Sequence, residues 1–104
     1  KIVDCFSAAH IDGYKNELFE KLQELIICRT AYWKIAGKQM GLGKPWEPDW
    51  EDDSSKYYIS FYENKIDIGD VVYSNKILVF PTEEMRDTFL ENFNDLIEQC
   101  KELL

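Results

Sequence analysis

The sequence predicts an α+β domain: a long N-terminal helix, a three-stranded antiparallel β-meander and a C-terminal amphipathic helix packed on the sheet. Three observations carry this. Apolar residues recur at steps of three and four over residues 14–36 and again over 82–104, the period of a helix. From Tyr57 the period changes to two, the period of a strand. Turn residues at Asn64 and at Ser74-Asn75 divide that second stretch into short strands. At 104 residues the chain makes a single domain, with no internal repeat and no linker.

Residues 1–12 are mixed and carry no clear period. The opening apolar residues are too few for a secretion signal, and Asp4 interrupts them. Asp12-Gly13 reads as a turn, with Asp12 a candidate N-cap. In the first helix Leu18, Leu22, Leu25, Ile26, Tyr32, Trp33 and Ala36 form an apolar stripe, which Phe19 and Ile27 widen. So wide an arc suggests burial on more than one side. Gly37 is expected to end the helix, and Gly41, Gly43, Pro45 and Pro48 keep residues 37–55 irregular. Tyr57, Ile59 and Phe61 then alternate with Tyr58, Ser60 and Tyr62, and Ile66 and Ile68 with Lys65 and Asp67. Gly69-Asp70 suggests a bulge or bend. Residues 77–80 make the third strand. In the last helix Thr82 is the expected N-cap behind Pro81, with Glu83 and Glu84 at the positive end of the dipole. Phe89, Phe93, Leu96 and Cys100 are expected to be buried against the sheet and against Leu22, Leu25 and Ile26.

The formal charge is −8, and all of it lies in residues 51–104, because residues 1–50 carry seven basic and seven acidic side chains. An acidic half repels phosphate, which disfavours direct nucleic-acid binding. No stretch reaches the roughly 20 apolar residues of a membrane span. Cys5, Cys28 and Cys100 are widely spaced and odd in number, which reads as three free thiols in a reducing compartment.

No catalytic, metal or cofactor site emerges from the spacing. Five residues separate Gly37 from Gly43-Lys44, where a phosphate loop has four, and Pro45 stands where its Ser or Thr belongs. His10 is the lone histidine, and Cys5 alone does not complete a metal site or a nucleophilic couple with it. Two features remain. The segment Trp46-Glu47-Pro48-Asp49-Trp50 combines indoles and carboxylates on a proline-stiffened loop, and with Tyr57 nearby it can wall a ligand site or close over the core. Alternation favours closure, with at least one ring buried and Glu47 and Asp49 pointing out. The last helix presents Asp87, Glu91, Asp95 and Glu98 on one face, a solvated surface or a surface for a basic partner.

The order Trp46-x-Pro48-Asp49-Trp50, Lys56-Tyr57-Tyr58-Ile59, Asn64-Lys65-Ile66, Ile77 through Asp87, and Phe93-x-x-Leu96 through Leu104 resembles a group of small proteins from phages, prophages and mobile elements of Bacteroides-type gut bacteria. The resemblance covers residues 46–104 and brings no established activity with it. It implies a mobile-element context, in a bacterial cytoplasm or a virion. The expected function is therefore that of a small non-enzymatic interaction protein, with an unidentified protein partner or a second copy of itself. The alternatives are an acidic inhibitor that mimics nucleic acid, and a small-ligand binder built on Trp46 and Trp50. No cofactor is expected.

Overall fold

A computed structural model describes residues 13–73 and 76–104, with side chains from residue 16 onward. The expectations for Cys5, His10, Asp12 and the Ser74-Asn75 turn lie outside the described residues. Helix α1 spans Gly13–Gln39 and is followed by the irregular segment 40–55. Strands β1 (Lys56–Tyr62), β2 (Lys65–Val71) and β3 (Leu78–Phe80) form one antiparallel sheet. Helices α2 (Glu83–Asn92) and α3 (Asn94–Cys100) and a 3-10 turn at Lys101–Leu103 complete the chain. The α+β class is as expected, while several details differ.

Gly37 does not end α1. The helix runs two residues further and closes in a Schellman motif: Gly41 takes φ +70°, Gly41 N–H bonds Lys38 O at 3.2 Å and Leu42 N–H bonds Gly37 O at 2.9 Å. Gly37 serves close approach instead, because a Cβ there would lie 2.0 Å from the Lys44 carbonyl oxygen.

The strand order is β2-β1-β3, not the sequential order of a meander. β1 takes the centre, paired with β2 along one edge and β3 along the other, and both of its faces are covered, with Ile59 buried on one and Lys56 and Ser60 on the other. β2 is an edge strand: its charges at Lys65, Asp67 and Asp70 are tolerable only where one side meets water. The β1–β2 turn has positive φ at both Glu63 and Asn64, the geometry of a type I′ hairpin. β2 pairs one to one with β1 through Gly69 and Asp70, so no bulge forms there. Gly69 instead makes room for the ring of Tyr58, whose hydroxyl would lie 2.8 Å from a Cβ. That hydroxyl donates to Asp67 Oδ2 at 3.0 Å, which raises the Tyr58 pKa.

The C-terminal helix is broken at Phe93 (φ −120°, ψ 22°). The two halves have different tasks. α2 lies on β1 and β3, and α3 lies along α1. A straight helix cannot follow both surfaces. Thr82 caps α2 as expected, its hydroxyl accepting from Met85 N–H at 3.1 Å. The core joins Leu18 and Leu25 of α1, Ile59, Leu78 and Phe80 of the sheet, and Phe89, Ile97 and Cys100 of the last helices. Phe93 and Leu96 are partly buried against it with Leu22, while Ile26 is not among the residues that build it. Tyr32 presents its edge to Phe80, Phe89 and Phe93 at 4.9–6.3 Å, and its hydroxyl accepts from Asn92 Nδ2 at 2.8 Å.

Candidate functional site

The tryptophan loop is assembled on α1. Trp46 N–H donates to the Trp33 carbonyl at 2.9 Å, and the two indoles meet edge to face at 5.5 Å and 83°. Trp33 is itself fixed twice. Its indole N–H donates to the Val79 carbonyl at 2.8 Å, and the Arg29 guanidinium lies 4.0 Å above its ring. One helical turn away Arg29 Nη1 donates to the Ile77 carbonyl at 2.9 Å. Trp33 thus covers a carbonyl of edge strand β3, and Arg29 the carbonyl just before it, which would otherwise be open to pairing with another chain. Half-burial of Arg29 draws its pKa down, because desolvation disfavours the charge.

Beyond Trp46 the loop holds itself with short turns. Asp49 Oδ1 accepts from Glu51 N–H at 2.9 Å, and Asp52 Oδ1 accepts from Ser54 N–H at 2.8 Å. Asp52 Oδ1 also takes the Ser54 hydroxyl and the Lys56 ammonium, the latter at 2.9 Å. Trp50 lies 5.5 Å from the same ammonium. Trp46 and Trp50 are both half-buried, and Glu47 and Asp49 are exposed as expected. An open hollow of about 510 Å³ runs along residues 42–51, between the indoles and the carboxylates of Glu47, Asp49 and Glu51. Tyr57 does not join it. As the neighbour of Lys56 in a strand it projects from the other face of β1, where its ring lies 5.8 Å from the Arg86 guanidinium.

The acidic face is partly spent on intramolecular pairs. Asp87 Oδ1 receives Arg86 Nε at 2.9 Å and Nη2 at 2.8 Å, and Glu98 receives Lys101 at 2.9 Å. Buried Arg86 also donates to the Gly69 carbonyl at 3.1 Å, which ties α2 to the sheet. Glu91 and Asp95 are exposed, but the break at Phe93 places them on different helices. Cys28 and Cys100 are free thiols, and burial pushes Cys100 up to about 11. Among the described residues no group of three or more His, Cys, Asp or Glu could hold a metal ion, and no helix is long and apolar enough to cross a membrane.

The sequence reading missed a third surface. Ile27 widens the apolar stripe in the sequence, yet its side chain is 68% exposed, and Ile35 is 50% exposed. Ala31 between them is exposed as well. Spaced at i, i+4 and i+8, these three mark an apolar band on the side of α1 that faces away from the core. The signal was present in the spacing, since at about 100° per residue Ile27 lies opposite the core residues Leu18, Leu25 and Ala36, with Ala31 about 40° and Ile35 about 80° round the helix from it. Compared with family models, curated proteins and solved structures, the chain has no match in any of the three.

Proposed function

We propose that this chain is a non-enzymatic interaction protein that binds a protein partner through the outer face of α1, in the role of an accessory protein of a phage or mobile element. The exposed Ile27–Ala31–Ile35 band carries the reading. An isolated exposed isoleucine is ordinary, but an ordered band on a rigid helix is what helix recognition uses. That context, with the bacterial cytoplasm or the virion as its place, rests only on the resemblance read from the order of residues 46–104 in the sequence.

Neither alternative draws comparable support. The hollow beside the tryptophan loop has one of its indoles engaged with Trp33 and one of its carboxylates engaged in a turn. Mimicry of nucleic acid asks for a continuous row of free charge, and Asp87 and Glu98 are paired within the chain. Site-specific photo-crosslinking in the host cell tests the proposal, with a benzophenone side chain replacing Ile27, Ile35, Trp50 or Asp95 in turn. Protein adducts are expected from the first two positions and not from the others. Adducts confined to Asp95 would transfer the interface to the acidic face, and none at all would remove the interaction reading.

A further inference from the structure

Along the most exposed meridian of α1 run Glu20, Glu24, Ile27, Ala31, Lys34 and Lys38, all six open to solvent. Their spacing is four, three, four, three, four, the seam of a helix pair. The order of chemistry is two acids, two apolar residues, two bases. Such a seam is complementary to itself when reversed. Two copies crossing antiparallel at the level of Arg29 set Glu20 against Lys38, Glu24 against Lys34, and Ile27 against Ala31, and each pairing occurs twice about the two-fold axis.

We infer that the partner bound by α1 is a second copy of this chain, held antiparallel through this seam; the inference rests on the reading that the outer face of α1 is an interface. Within one molecule the helix dipole accounts for Lys38 in the last turn, but not for the placing of the two acids. Helix-dipole effects fall off within the first and last turns, whereas Glu20 and Glu24 lie two and three turns inside a helix that begins at Gly13. Within one helix, Glu20 with Glu24 and Lys34 with Lys38 are like charges four apart, which disfavour it slightly. Across an antiparallel pair each repulsive couple meets its opposite. The small side chain of Ala31 leaves room for Ile27 of the second copy. At the basic end a hollow of about 380 Å³, lined by Lys34, Lys38, Gly43, Lys44 and Pro45, stands where the acidic end of the second copy would arrive. The seam spans about 27 Å along the helix, so a single helix pair makes a small, salt-sensitive interface.

Sedimentation equilibrium of the full chain at low salt tests this, from micromolar to millimolar concentration. The mass is expected to rise toward twice the monomer mass, and to fall back when salt is added. E20K/E24K makes the seam uniformly basic and K34E/K38E makes it uniformly acidic. Each variant alone is expected to self-associate at least about tenfold more weakly, since like charges are then juxtaposed. An equimolar mixture of the two is expected to associate again as a heterodimer. Circular dichroism confirms that each variant is folded. A wild-type chain that stays monomeric throughout, or a mixture no tighter than its components, overturns the inference. If the chain is monomeric while Ile27 and Ile35 still crosslink another protein in cells, only the second-copy inference fails. If no crosslink forms either, the interaction reading fails with it.

Discussion

Lys56 is 1% exposed, and the partners of its ammonium explain how an acidic loop stays ordered. Its Nζ donates to Asp52 Oδ1 and Ser54 O at 2.9 Å each, and reaches Asp52 O at 3.3 Å and Val72 O at 3.4 Å. One buried cation thus gathers the loop before β1 and the segment after β2. A buried ammonium without such partners would be expensive, so the acceptors stabilise the strand as much as the loop. Asp52 answers from the surface. Bonds from the Ser54 hydroxyl, then from Lys56 and the Ser54 N–H, hold its carboxyl at about 2 against an ordinary 3.8. Because the folded value lies below the unfolded one, the carboxylate contributes stability above about pH 4, and that contribution fades as the pH falls through about 2. The melting temperature of the wild type is therefore expected to exceed that of Asp52→Asn at pH 6, with the gap closing between pH 4 and pH 2. A gap that is constant over this range would mean that Asp52 acts through shape and not through charge. In the sequence, Lys56 reads only as a polar residue at a strand start. Burial of its charge depends in part on the Val72 carbonyl, sixteen residues further along the chain, which no local pattern reports.

At the scale of elements, the helices and strands were legible because each carries its own period, and their junctions were less so. The first glycine after the apolar stripe, Gly37, is the stop that the sequence suggests for α1, although the Schellman geometry is built on Gly41. Gly37 is needed for a contact between elements, the carbonyl of Lys44 pressed against the helix, and a contact of that kind leaves no mark in the spacing. The break at Phe93 is similar. An apolar stripe that is continuous in sequence serves two surfaces in turn, and only the packing reveals the change of direction. Gly37→Ala is expected to cost about 1–3 kcal/mol in chemical denaturation, because backbone must move to admit the new Cβ. The same change should push the loop off α1 and separate Trp46 from Trp33, so that iodide quenches tryptophan fluorescence more strongly than in the wild type. An unchanged midpoint and unchanged quenching would show that the loop does not rest on α1 in solution.

At the scale of the molecule, the class and the two covering helices follow from amphipathic periods, whereas strand order and the outward seam of α1 do not. Of the two edge strands only β2 carries charge, in Lys65, Asp67 and Asp70, whereas β3 is apolar and buried throughout, so face patterning does not report which strand is central. The seam escaped because an isoleucine within an apolar helical stretch is ordinarily core, whereas Ile27 lies on the side of the helix opposite Leu18, Leu25 and Ala36. The expected alternation in the tryptophan loop held for Glu47 and Asp49, while the rings settled between the two expectations, each half-covered. Cys100 offers a measure of the whole assembly, since it lies where α1, the sheet and the last helices meet. It is fully buried, its thiol lies near the Leu96 carbonyl at 3.4 Å, and burial first and Glu24 second raise its pKa to about 11. Alkylation needs a thiolate in contact with solvent, so Cys100 should react only through unfolding, whereas half-exposed Cys28 should react in the native state. In a Cys5→Ser background at neutral pH, one thiol is expected to be labelled quickly and the second at a rate that climbs steeply with denaturant. The slope of that climb should match the slope from equilibrium unfolding, because both report the same exposed surface. Equal labelling of the two thiols in native buffer would mean that α3 opens independently of the core.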